Sequence, residues 1–225
     1  MSISLYTISA ICGNFHKEST VNPGIYESLN VVPLTDNSVY GGYGLGQWTN
    51  KPSAGLTRRT QLVEYLRQYG YADDSGEGQL MFLLAENYWH QNVGSYSSLT
   101  DFLNNTSTDI NELTRIYMRN WEGINNGTLS ERQQWANKFY NYINEHFNDT
   151  SINTWYASNS YLSESQQCNN AVLVARFLWD SPDPPEPTPP IPPEPIPDTD
   201  FLELVLMSAK YRKKKNKRRL KGVDI

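Results

Sequence analysis

Glu18 is the residue of this sequence best placed for proton chemistry. It stands three residues after Phe15 and seven after Ile11, so it continues the apolar face of a helix predicted from Leu5 to about Lys17. It also falls at the C-terminal end of that helix, where the macrodipole disfavours negative charge. Desolvation and the adverse dipole both raise a carboxyl pKa. A carboxyl that keeps its proton near neutrality is what general-acid catalysis requires. The position equally suits a plain ion pair, with Arg58 or Arg59 as the basic neighbour.

The second feature is the run Tyr40-Gly-Gly-Tyr-Gly-Leu-Gly-Gln-Trp-Thr49. Glycines this dense let another backbone or a ligand approach closely. Tyr43, Gln47 and Trp48, interleaved with them, suit a sugar: flat rings stack on pyranose faces and amides bond hydroxyls. A phosphate cradle is excluded, because no Lys-Ser/Thr follows and no strand–helix dinucleotide context surrounds the glycines. A glycine-rich turn carrying core aromatics is the plainer alternative.

Other constellations are poor. His16, His90 and His146 show no metal-ligand spacing. Cys12 and His16 lie four residues apart on the first helix, which invites a thiol-peptidase reading. Cys12 sits on the core stripe, however, and buried cysteines are usually inert. Two cysteines, Cys12 and Cys168, make no disulfide framework. No cofactor is implied.

These residues need a scaffold, and the pattern supplies a mostly helical one. Leu62, Val63, Leu66 and Tyr69 form one stripe, and Leu80, Leu83 and Leu84 another. Asp109-x-x-Glu112 predicts a capped helix start, as does Ser130-x-x-Gln133. A last helix is predicted from Ser163 to Trp179. Between the first helix and Thr49, Val31-Val32, the turn cluster Thr35–Ser38 and the glycines predict a small hairpin or irregular β region. The fold class is α+β, mainly α, with a small β-hairpin insertion after the first helix.

The formal charge of −5 over 225 residues averages two unlike parts. Residues 1–180 carry ten Lys/Arg against seventeen Asp/Glu and all six tryptophans. Residues 181–225 carry nine against seven and hold ten of the thirteen prolines. The organisation expected is a catalytic domain over 1–150, a helical extension packing on it over 151–180, a proline-rich linker over 181–199 and a short amphipathic, basic tail over 200–225. The linker's polyproline stretch, 181–198, would reach ~55 Å. The acidic body is unsuited to nucleic acid. No apolar run approaches the ~20 residues of a membrane span, and Met1-Ser-Ile-Ser-Leu-Tyr has no basic region of the kind that opens a secretory signal.

Two of these segments together resemble a known family. Ile11-Cys-Gly-Asn-Phe-His-Lys-Glu-Ser-Thr-Val-Asn-Pro-Gly, followed by Gly42-Tyr-Gly-Leu-Gly-Gln-Trp-Thr, is similar to the bacteriophage tail lysozymes, muramidase domains of the lysozyme-like superfamily. The Glu-Ser-x-x-Asn-Pro and Gly-Leu-x-Gln elements also recur in goose-type lysozymes and lytic transglycosylases. Leu113-Thr-Arg-Ile-Tyr-Met-Arg-Asn-Trp-Glu-Gly and Arg132-Gln-Gln-Trp-Ala resemble the family's closing helices, so the likeness covers about residues 5–147. Members commonly carry a helix ahead of the segment matching residues 5–18. Either this domain is trimmed there, or residues 151–180 supply the missing packing surface.

The resemblance implies a lysozyme-like fold and cleavage of the β-1,4 bond between N-acetylmuramic acid and N-acetylglucosamine in bacterial peptidoglycan. It makes Glu18 the catalytic acid. Asp36 occupies a hairpin position where lysozyme-like hydrolases often carry a second acidic residue, one that orients water or stabilises an oxocarbenium-like state. An Asx-turn in Asp36-Asn-Ser fits that residue equally, and Glu27 is a weaker competitor. Transglycosylases do without a second carboxylate. Glu122 matches a family position lining the cleft, or is structural. The location implied is the virion tail, with residues 200–225 anchoring to phage tail proteins, and Lys210–Lys221 also suited to an anionic surface. The alternatives are a tail module that binds glycan without cutting it, and an endolysin held in the host cytoplasm until lysis.

Overall fold

The computed structural model describes residues 3–125 and 127–180. The linker and basic tail expected at 181–199 and 200–225 lie outside the described residues. Among the described residues there are seven α-helices and a small three-stranded antiparallel sheet. No helix among them is long and apolar enough to cross a membrane.

Helix α1 (Leu5–Ser19) is the axis of the fold. Ser4 caps its start by accepting a hydrogen bond from the Thr7 amide at 3.2 Å, and Thr20 ends it in the left-handed conformation. The stripe of Ile8, Ile11, Cys12 and Phe15 is fully buried. Burial of each large apolar side chain there contributes about 1.5–3 kcal/mol. The opposite face is buried too, which the stripe alone did not predict. Thr7, Ser9 and Asn14 are enclosed, and Asn14 Nδ2 donates to the carbonyls of Ala10 (2.9 Å) and Thr114 (3.2 Å). Gly13 lets α6 (Leu129–His146) come close: a Cβ there would lie 2.5 Å from the Arg132 carbonyl oxygen.

Helices α2 (Arg58–Gln68), α3 (Gly76–Glu86) and α5 (Ile110–Asn120) fall where the stripes put them. Asp109 accepts from the Glu112 amide at 3.0 Å, as the capping pattern requires. The second expected cap fails: α6 starts at Leu129 behind Thr128, so Ser130 lies inside the helix. The short α4 (Leu99–Leu103) was not expected. Helix α7 (Glu164–Trp179) opens with a full capping box between Ser163 and Gln166 and packs on α1, α3 and α6.

The small β insertion follows the first helix as expected, with its strands at the glycine-rich end of the region and just beyond it. Strands β1 (Gly41–Tyr43), β2 (Trp48–Lys51) and β3 (Leu56–Thr57) pair in that order, with Tyr43 opposite Trp48. Residues 31–40 form no strand. Their carbonyls turn instead to the buried guanidinium of Arg59, which donates to Leu34 (3.1 Å), Asp36 (2.8 Å), Val39 (3.1 Å) and Gly41 (2.9 Å). One side chain thus replaces the ladder that a hairpin would have supplied.

Candidate active site

Glu18 occupies the last turn of α1 at the edge of a cleft of about 400 Å³. Gln47, Glu122 and Glu27 line the same cleft. Glu18 is paired, but with neither arginine named by the sequence. Arg58 is engaged by Glu86, at 2.7 Å from Nη2 to Oε1, and Arg59 by the carbonyls of the 34–41 loop. The partner is Arg132 of α6, whose Nη2 donates to Glu18 Oε1. The Arg132 side chain is almost wholly buried, and its Nη1 also donates to Asn14 Oδ1 at 3.0 Å. Glu18 keeps 18% of its side chain exposed, toward the cleft. A buried cation, fixed also by Asn14 and Thr128, therefore holds the Glu18 carboxyl while its outer edge remains accessible.

Glu122 follows Trp121 at the end of α5. Its Oε1 is withdrawn from solvent and has no hydrogen-bond partner among the described residues. Burial holds its carboxyl well above the ordinary carboxylate range, and the negative charge of Glu18 pushes it further up. Arg132 and Arg58 pull the other way without reversing this. Arg58 lies over the Tyr88 ring at 3.9 Å and the Trp121 ring at 4.9 Å, which fixes this side of the cleft. Gly46 brings the β1–β2 turn against Trp121: a Cβ there would lie 2.3 Å from Trp121 Cη2.

Three sequence candidates are not brought to the cleft. Asp36 is not among its lining residues, and its Oδ1 accepts from the Ser38 amide (2.8 Å) and hydroxyl (2.6 Å). That is the Asx-turn. Tyr43 and Trp48 are buried core residues instead of sugar platforms. Tyr43 packs at a tilt against Tyr26, and the Trp48 ring is enclosed edge-on by Phe82 and Trp121 while its Nε1 donates to Glu86 Oε1 at 2.8 Å. Strand pairing sets Tyr43 and Trp48 directly opposite each other, and their rings serve the core. Gln47, in the left-handed conformation at the turn, does line the cleft; its Nε2 donates to Ile25 and Gly44 carbonyls.

The cleft's exposed apolar surface comes from elsewhere. Tyr40 (56% exposed) and Leu56 (41%) stand on it, with Tyr40 Oη donating to Glu27 Oε1 at 3.0 Å. Glu27 Oε2 accepts from the Gly42 amide at 2.8 Å, so this carboxylate ties the β1 edge to the segment after α1. Tyr161, from the loop before α7, also lines the cleft. No local spacing signalled Arg132 or Tyr161, which reach the site from 114 and 143 residues beyond Glu18.

Cys12 and His16 form no nucleophile pair. Burial pushes the Cys12 thiol far up, and His16 stacks on Trp135 at 3.9 Å with Nδ1 on Gln167 Oε1 at 2.7 Å. Both cysteines are free. Among the described residues, no three His, Cys, Asp or Glu side chains group to hold a metal ion.

A helical body with α1 at its centre, a small sheet beside it and an acidic cleft at the end of α1 is the frame for two comparisons. Residues 2–143 match the family model described as phage tail lysozyme. Among curated proteins, Morphogenesis protein 1 of Bacillus phage B103 is 30% identical over 132 residues, 56% of this chain and 32% of that protein. The match thus spans about a third of that relative's length. With 2–143 being well over half of the sequence, the chain belongs to the phage tail lysozyme family.

Proposed function

We propose that this protein is a muramidase that hydrolyses the β-1,4 bond between N-acetylmuramic acid and N-acetylglucosamine in peptidoglycan. The observation that carries the reading is the pairing of Glu18 and Glu122 in one cleft with Arg132 bonded to Glu18. Burial, and then the negative charge of Glu18, favour the protonated form of Glu122, so this cleft retains a proton that a solvated carboxyl would lose. In its protonated form Glu18, oriented by Arg132 and open to the cleft, gives its proton to the leaving glycosidic oxygen as that bond breaks, and the water that adds to the anomeric carbon returns a proton to it. Tyr40, Leu56 and Gln47 line the groove in which the sugars lie. The lysozyme-like family to which the chain belongs supports the same chemistry.

The place of action that fits is the virion tail, where the enzyme opens the wall locally for genome entry. The family description and the relative's name, a phage morphogenesis protein, support it. In this scheme residues 181–199 serve as spacer and 200–225, with Lys210–Lys221, hold a tail component or an anionic surface. Detection of the protein in purified particles checks the location; its absence there refutes it.

Mass spectrometry of purified peptidoglycan digested by the protein tests the reaction. Hydrolysis releases fragments ending in reducing N-acetylmuramic acid. Fragments lighter by one water would be anhydro sugars and would mark a transglycosylase; new amino termini or no release would overturn the glycosidase reading.

A further inference from the structure

The family match ends at residue 143, yet the cleft is completed by a residue well beyond it. The chain between α6 and α7, residues 147–163, is irregular but tightly tied to the segment that follows Glu18. Asn22 Nδ2 donates to the carbonyls of Ser158 and Ser160, each at 2.7 Å. Asn22 Oδ1 accepts from the Ser158 amide at 3.2 Å. Asn159 accepts from the Tyr26 amide and donates to the Leu29 carbonyl, both at 3.1 Å. The Leu162 amide donates to Thr20 Oγ1 at 3.1 Å, and its carbonyl accepts from Gln167 Nε2 at 2.8 Å.

Tyr161 therefore sits between two anchored neighbours. Ser160 is held by its carbonyl, Leu162 by both backbone groups and a buried side chain. Tyr161 itself is 64% exposed, more than any cleft-lining aromatic, and faces the cleft that holds Glu18. A large ring carried on an anchored backbone and exposed at a concave site leaves apolar area to be covered by a ligand with a flat apolar face. A pyranose has such a face, and the anchoring removes most of the ordering cost that a mobile loop would charge to binding.

We propose that Tyr161 is the stacking platform of an additional saccharide subsite, built by the 147–163 loop and setting the length of glycan strand bound best. This rests on the glycosidase reading. An internal sugar of a long strand stacks on Tyr161, while a disaccharide seated beside Glu18 does not reach it.

The test uses the full chain carrying Glu18→Gln, so that ligand is bound without turnover, and peptide-free peptidoglycan glycans of two and eight sugars. Calorimetric titration of this parent should give tighter binding of the octasaccharide. Adding Tyr161→Ala should weaken octasaccharide binding roughly three- to tenfold, the range expected for losing one ring contact, and leave the disaccharide unchanged. Tyr161→Phe should restore the parent's affinity. Unchanged octasaccharide affinity in Tyr161→Ala, with a parent that binds, overturns the subsite alone. A parent that binds neither glycan overturns the glycosidase reading and the subsite with it. Because Tyr161 is exposed, equal melting temperatures are expected for all three proteins.

Discussion

Glu122→Gln should change how the stability of this protein depends on pH. Glutamine is close to a protonated carboxyl in shape, with one donor more, but cannot ionise. In the folded protein, burial and the neighbouring Glu18 hold the Glu122 carboxyl well above its ordinary range. In the unfolded chain it ionises near ~4.3. Below that pH both states carry the proton, and Glu122 contributes no pH dependence. Above it the folded state binds one proton more than the unfolded state, so rising pH favours unfolding. The penalty grows by up to about 1.4 kcal/mol per pH unit until the folded-state carboxyl itself ionises. Between pH 5 and 7 the wild type should therefore lose stability relative to the variant. Urea unfolding of both proteins at pH 4, 5, 6 and 7 measures it. A wild-type stability that holds constant relative to the variant, or gains on it as pH rises, would refute the claim that this cleft holds a proton.

The other predictions concern the parts that support the cleft. Arg132→Met strips a buried cation from Glu18 and Asn14 and should cost about 3–5 kcal/mol in urea unfolding. In a Glu18→Gln background the same change should cost ~1–3 kcal/mol less, and strict additivity would show that the ion pair is uncoupled. Gly46→Ala places a methyl 2.3 Å from Trp121 Cη2. It should destabilise by ~1–3 kcal/mol and lower peptidoglycan turnover with it, as read by thermal melts and product release. Asp36→Asn preserves the acceptor used by Ser38 and should leave the melting temperature close to that of the wild type. Turnover should stay at the wild-type level; a large loss would return Asp36 to the reaction.

Local pattern made the helices legible, because a buried stripe and a capping residue are read from neighbours in sequence. Ile8, Ile11 and Phe15 located α1, and Asp109 located the start of α5. Glu18 was legible for the same reason, as a carboxyl on an apolar face at a helix end. What surrounds it was not, because the partner is chosen by tertiary packing. Arg58 and Arg59 are nearer in sequence, but Glu86 and the 34–41 carbonyls engage them, leaving Arg132 to pair with Glu18. Burial of the aromatics was equally invisible. Nothing between Tyr40 and Thr49 says that Phe82 and Trp121 will enclose Trp48, or that Tyr40 will remain outside. The irregular path of residues 31–40 depends on one arginine from α2, where a local reading leaves a hairpin and an irregular region both open. Tyr161 carried no periodic signal, and its place follows from hydrogen bonds to Thr20 and Asn22 far earlier in the chain.

Release of soluble fragments from purified peptidoglycan by Glu18→Gln, compared with wild type at equal concentration and matched Tm, measures the role assigned to that carboxyl. Loss of general-acid catalysis should lower the rate by roughly 10²–10⁴-fold while binding to the intact wall persists. A folded Glu18→Gln protein that digests peptidoglycan at the wild-type rate would contradict the assignment of Glu18 as the acid.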